Sequence, residues 1–162
     1  MTTWQVAGLG TDSTEDVQTS VKTFISTNWG LTGELAAGRI LFSTGWYDKS
    51  RQYQIHFKHP PLSPTITPYT LGANPMFRYD DIVTIHVFVT ALKANQEPSQ
   101  LGSINREIER IIGSNTTGLE TSKGFCYVRM TRGMNTLPQE DSQISTWHST
   151  GQCAILLHKV NR

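Results

Sequence analysis

Five histidines, two cysteines and two adjacent acid pairs are the residues of this chain best suited to chemistry. His56 and His59 form the only close histidine pair, while His86, His148 and His158 are scattered. Imidazoles three residues apart on a strand project from opposite faces, so this spacing chelates a metal poorly unless the chain turns at Lys58. No His-Glu-x-x-His run, facial carboxylate pattern or neighbouring cysteine accompanies the pair. Cys126 and Cys153 stand 27 residues apart without a Cys-x-x-Cys, and so lack the closely spaced ligand pairs of a zinc site. The start Met-Thr-Thr-Trp-Gln has neither the basic residues nor the apolar stretch of a secretory signal. Two buried, reduced thiols are therefore expected in preference to a disulfide. Asp80-Asp81 and Glu140-Asp141 diverge in an extended chain and read as turn residues. There is no Gly-x-Ser-x-Gly, and Gly8-x-Gly10 has neither the preceding strand nor the third glycine of a dinucleotide loop. Lys123, Arg129 and Arg132 gather near one strand without the interleaved aromatics of a nucleic-acid groove. The expectation is a protein with no catalytic residues, no metal site and no bound cofactor.

What the chain does carry is apolar surface in stretches that read as loops. Trp46, Tyr47, Met76, Phe77, Tyr79 and Trp147 all fall in such stretches. Exposed aromatic and methionine clusters mark interfaces more often than catalytic pockets. Five of the seven prolines, Pro60, Pro61, Pro64, Pro68 and Pro75, lie within 16 residues. Each removes a backbone donor and fixes φ, which excludes a helix interior or a central strand. The segment at about 59–78 is expected to be an extended, semi-rigid loop. Its Leu62, Ile66, Tyr69, Met76 and Phe77 are too apolar for a solvated linker. The candidate interface is therefore Trp46, Tyr47, Leu62, Ile66, Tyr69, Met76, Phe77, Tyr79 and Trp147.

The elements that position these residues follow from periodicity. Asp12 and Glu15 have capping-box spacing, and Val17, Val21, Phe24 and Ile25 then repeat on one helical face up to Asn28 and Gly30. Arg39 to Ser43 reads as a short strand and 45–50 as a turn. Tyr53 to Phe57 alternates as a strand buried on one face, so these two strands are expected as a hairpin or neighbouring pair. Ile82 to Ala91 is the strongest strand pattern, with Val83, Ile85, Val87 and Val89 on one face and Ile82, Thr84, His86, Phe88 and Thr90 on the other. Leu101, Ile104, Ile108, Ile111 and Ile112 define a second helix closed by Gly113. Its Arg106–Glu109 and Glu107–Arg110 pairs read as a solvated face. Phe125 to Thr131 and Cys153 to Val160 read as the strands of a long-looped hairpin.

The 162 residues suit one domain, 1–162, large enough to bury a core without staples. There are 34 serines and threonines against 27 charged residues, so the surface is polar but weakly charged. A net charge of +1 argues against a dedicated nucleic-acid or membrane footprint. No apolar run approaches the ~20 residues of a membrane span. The order of elements makes the fold α+β: an antiparallel sheet of four or five strands with two helices packed on one face.

This order resembles the tail terminator proteins of long-tailed bacteriophages. The resemblance rests on three features: the amphipathic helix of Val17, Val21 and Phe24; the strand Asp81-Ile-Val-Thr-Ile-His-Val-Phe-Val followed by the helix Ile104-Asn-Arg-Glu-Ile-Glu-Arg-Ile-Ile; and the closing pattern Tyr127-Val-Arg-Met, Glu140-Asp, Trp147-His-Ser, Ile155-Leu-Leu. It covers residues 12–160 by pattern, without an invariant motif. It implies a virion structural protein, not an enzyme, that forms a ring ending the tail tube and joining tail to head. It implies a homo-oligomer, hexameric in the family, whose partners are the tail-tube protein and the head-connector or neck proteins. DNA would pass through the ring without sequence-specific binding, and assembly would take place in the host cytoplasm. Other neck and tail-tube subunits share related folds. The reading from a different class is a small soluble metal-dependent enzyme using His56 and His59.

Overall fold

Val83, Ile85, Val87 and Val89 alternate with polar and mixed residues, and all four are buried in the computed structural model. The structure describes residues 17–59, 65–68, 76–91, 97–114, 119–121, 124–137 and 146–160. In chain order the elements are α1 (Val17–Thr27), β1 (Leu41–Ser43), β2 (Tyr53–Lys58), β3 (Thr65–Pro68), β4 (Met76–Thr90), α2 (Ser99–Gly113), β5 (Leu119–Thr121), β6 (Gly124–Thr136) and β7 (Thr146–Val160). One sheet runs β1-β2-β4-β7-β6-β5, and β3 also pairs with β4. The fold is α+β and the sheet is mostly antiparallel, as expected from sequence. Its body is the four longer strands β2, β4, β7 and β6, to which three strands of three or four residues are added.

The β-branched face of β4 packs under both helices. Val21 and Ile25 of α1 and Leu101, Ile104, Ile108, Ile111 and Ile112 of α2 form one core with Tyr53, Ile55 and Phe57 of β2 and the four aliphatics of β4. Periodicity alone places these residues, since a 3.6-residue stripe must meet a 2-residue stripe to leave water. Asp12 and Glu15 lie outside the described residues. The C-terminus of α2 is closed by Ser114, whose N–H donates to Arg110 O at 2.9 Å and whose hydroxyl donates to Ile111 O at 3.0 Å. Gly113 is simply the last helical residue, and Gly33 is the one described residue with positive φ. The expected glycine cap is thus replaced by a serine that satisfies the same orphan carbonyls.

Two further expectations are corrected by how β4 and β2 are covered. The segment 59–78 is not wholly a loop. Thr65–Pro68 pairs antiparallel with β4, and β4 itself begins at Met76. Pro68 fits an edge strand, since β4 is the one partner of β3 among the described residues. β2 and β3 share one edge of β4 in succession, β2 on Thr84 to Val89 and β3 on Phe77 to Asp80. The alternation of β2 predicts burial on one face, yet Tyr53, Gln54, Ile55, His56 and Phe57 are all buried. β1 and β2 are neighbours, as expected, but parallel. To re-enter in parallel the chain must cross the sheet, and residues 44–52 do so on the face opposite the helices.

β6 shifts register between Met130 and Arg132 and again between Arg132 and Asn135. Gly151 of β7 lies under these irregularities. A Cβ there would stand 2.5 Å from Met134 Sδ, 3.1 Å from Arg132 O and 3.3 Å from Met130 Cε. Gly151→Val is expected to cost about 1–3 kcal/mol and lower the thermal midpoint by several degrees. An unchanged midpoint would show that the two methionines swing aside freely.

Cys153 is fully buried and its thiol donates to Val83 O at 3.6 Å. Cys153 is the register partner of Met130, whereas Cys126 is that of Leu157. Four rungs separate the two positions, on the order of 13 Å along the strands, beyond the span of a disulfide.

Candidate interaction surface

The helix-free face of the sheet has one covered end. Gln54, with no exposed surface, is the buckle. Its side-chain oxygen accepts from Asp48 N at 2.9 Å, and its Nε2 donates to Asp48 O at 2.9 Å and Arg51 O at 3.2 Å. The backbone N–H of Asp48 can only donate, which fixes which end of the amide is oxygen. The 2.8 Å contact from His56 Nε2 to that oxygen is therefore an N–H donation, and it sets the His56 tautomer. Lys58 donates to Thr44 O and lies 5.1 Å from the Trp46 ring. Asp48 accepts from Ser50 N and Oγ at 2.8 and 2.7 Å, which holds its carboxyl below the usual carboxylate range.

Beneath this strap, neighbouring strands bring three histidines together. His56 is the register partner of His86, and Gln54 that of Phe88, which in turn faces His148. His86 Nδ1 and His148 Nε2 are 2.9 Å apart, so one of them carries the shared proton. His148 stacks on Phe88 at 4.3 Å between centroids, and Tyr47 meets the same Phe88 ring edge-on at 5.1 Å. Burial, and then His86, push the His148 imidazole down to about 4. Burial, and then Lys58, lower His86 as well. His56 is lowered chiefly by burial, with the Gly45 backbone opposing. All three are neutral at pH 7.

This cluster is not legible as a site in the sequence, which pairs His56 with His59 rather than with His86. His59 falls just past the end of β2. His86 and Phe88 do alternate onto one face, which is the available signal. Among the described residues no group of three His, Cys, Asp or Glu is arranged to hold a metal ion.

Three large apolar residues stand exposed among the described residues: Trp46 at 89%, Tyr47 at 41% and Leu137 at 37%. All three belong to this end of the sheet. Tyr47 reaches Thr146 Oγ1 at 3.3 Å, and Leu137 N donates to His148 O at 2.9 Å. Thr136 bonds Glu97 on the helix side, so Leu137, one pleat on, lies beside His148 on the helix-free side. Sequence reasoning misses Leu137 because it reads as an isolated apolar residue before Pro138.

Of the other candidate residues, Trp147 sits elsewhere. It is half-buried, facing Val89 in the register and packed against the core, and its indole N–H finds no acceptor among the described residues. It is a core-edge residue, not a surface anchor. Ile66 lies in β3, and Met76, Phe77 and Tyr79 lie in the first part of β4, with Ile66 opposite Tyr79. Leu62 and Tyr69 lie outside the described residues. Arg129 and Arg132 are exposed at register positions beside Ala154 and Gln152. A cleft of about 410 Å³ opens at the helix side, lined by Glu34, Tyr53, Glu97 and Gln100 among others. Its carboxylates are engaged: Glu34 accepts from Tyr53 Oη at 3.3 Å and Gln100 Nε2 at 2.9 Å, and Glu97 accepts from Thr136 Oγ1 at 3.2 Å. Burial and Glu34 raise the Tyr53 phenol, so it is a donor and not a base.

No protein-family model matches the chain, and no curated protein sequence matches it.

Proposed function

We infer that the chain is a phage virion structural subunit of the tail terminator or neck type, forming a ring that ends the tail tube and joins it to the head. The observation that carries this reading is the order of elements on a one-sided layer: α1, then strands, then the long β4 leading into α2, then the β6–β7 pair. β4 and β7 pair over 15 residues each, about 50 Å at 3.3 Å per residue, against about 22 Å for α2. A ladder of that length offers surface well beyond what one helical layer spans. Trp46, Tyr47 and Leu137 add exposed apolar anchors of the kind that interfaces use.

The mechanism is one of shape. A head-to-tail contact repeated by rotation closes into a ring when the rotation divides a full turn. The ring, hexameric by the resemblance, covers the growing end of the tail-tube protein and receives the head-connector proteins, with DNA passing through its centre. No helix among the described residues is long and apolar enough to cross a membrane.

Negative-stain images and native mass spectra of the purified protein at high concentration should show closed rings. A monomer at every concentration, or one bound transition metal per chain with turnover, would sink the reading. A variant joining residue 60 to residue 75 through a Gly-containing turn removes β3 while leaving the four-strand body and both helices. It should keep its circular dichroism and lose ring formation. Rings that persist in this variant would place the subunit contact elsewhere, on the Trp46 end of the sheet.

A further inference from the structure

We propose that residues 44–52 form an acid-released latch, held on the sheet by the neutral imidazoles of His56, His86 and His148 and freed when they are protonated. Two routes connect the histidines to the strap. In the first, buried His56 lies against Gln54, which holds Asp48 and Arg51 through three hydrogen bonds. The His56 Nε2–H donates to Gln54 in either charge state, but Nδ1 is buried and unpaired among the described residues, so a proton added there is an unpaired charge beneath the strap. In the second, the His86–His148 pair supports Phe88, and Phe88 supports Tyr47. A neutral imidazole pair holds one N–H between its nitrogens, and a single added proton can still be shared. A second proton sets N–H against N–H at 2.9 Å, and the pair must separate.

The surroundings make added charge unwelcome. Lys58 of β2 already lies beside the cluster, and its charge opposes protonation of His56 and His86. Arg129 and Arg132 of β6 flank β7 in the register, and Arg51 lies in the strap itself. From β4 and β7 the described neighbours are Thr84, Phe88, Thr150 and Gln152, none of them charged. The one carboxylate facing the cluster among the described residues is Asp48, and it is committed to Ser50. Tyr47, the strap's titratable phenol, bonds Thr146. The histidines therefore titrate below their ordinary 6.5, down to about 4 for His148. The strap is closed at neutral pH and opens as the pH falls toward about 4, carrying Trp46 and Tyr47 away from the sheet.

Hydrogen exchange followed by mass spectrometry, corrected for intrinsic rates, tests this at pH 7.5 and at about pH 3.5. Amides of 44–52 should lose at least about tenfold protection at the lower pH while α2 keeps its own. Gln54→Ala should open the strap at both pH values. His148→Phe, which keeps a flat ring on Phe88 but cannot be protonated, should lose less strap protection at about pH 3.5 than the wild type does. Equal strap protection at the two pH values overturns the proposal. So does opening of the strap and α2 in one step, which would mean global unfolding. If His148→Phe fails to fold, Gln54→Ala still decides: a strap that stays protected in it at pH 7.5 refutes the buckle.

Discussion

Phe57→Ala should cost about 3–5 kcal/mol of folding free energy, a larger loss than truncating any other core side chain among the described residues should bring. Phe57 is fully buried and heads the fully buried side chains in size among the described residues. It lies in β2 opposite Ile85, so its ring fills the space where the strand-borne and helix-borne halves of the core meet. Truncation forfeits the transfer energy of the ring and leaves a cavity that a sheet pinned on both sides cannot collapse. A domain of this size holds on the order of 5–15 kcal/mol in total, so the loss takes a large share of it. At roughly 2–4 °C per kcal/mol the thermal midpoint should fall by about 10 °C or more. Phe57→Leu should recover over half of the loss. A midpoint shift of only a degree or two for Phe57→Ala would mean that α1 and α2 settle into the space.

Glu107→Ala is the second large effect, and it also gives a pH signature. Glu107 is buried at 6% exposure, although the i, i+3 spacing to Arg110 reads as a solvated pair. Its carboxylate accepts from Gly30 N at 2.7 Å and from Arg110 Nη2 and Nε at 2.6 and 2.9 Å, while Arg110 also donates to Asn28 O. One side chain thus pins the turn after α1 to the middle of α2. Removing it takes the carboxylate from the Gly30 N–H and from the half-exposed Arg110, both of which water can then reach, for a loss of about 1–2 kcal/mol by chemical or thermal denaturation. Glu107→Gln, which still accepts from Gly30, should lose less. Arg110, acting first, holds the Glu107 carboxyl below its ordinary 4.5. A lowered carboxyl pKa means that the stabilisation is full above about 4.5 and fades as pH falls through the lower folded value. The gap between wild type and Glu107→Ala should therefore be constant near neutrality and shrink in acid. A gap that widens in acid would contradict this assignment.

Both positions show what a sequence discloses. The apolar stripes of α1, α2 and the Val83–Val89 face are legible because burial leaves a period in the residue order. Glu107 is misread because spacing along one helix cannot tell a solvated pair from one docked on a distant turn. Gln54 and His56 are misread because the alternation of β2 describes two faces but not what later crosses them. The histidine cluster needs the lateral pairing of β2, β4 and β7, which no single stretch encodes. The start of β4 is hidden by the prolines before it, since their density reads as loop even where an edge strand follows. The Trp46–Tyr47 surface is legible, since two adjacent aromatics in turn chemistry have few ways to be buried.

The long β4–β7 ladder also governs how the chain reaches this state. Val83 and Cys153, joined across that ladder, are 70 residues apart in the chain. Closing a loop of that length costs on the order of 4 kcal/mol of entropy before the first rung returns anything. The β6–β7 hairpin and the two helices can form from local contacts, but the central pairing of the sheet has to wait for the most distant one. Folding should accordingly be slow for a domain of this size, on the millisecond-to-second scale of sheets built from non-local pairs. Until β7 arrives, β4 presents one open edge and a ridge of four β-branched aliphatic side chains, a template for pairing with another unfinished copy. Yield on expression should be set by that interval, rising at lower temperature and lower synthesis rate, where fewer incomplete chains meet.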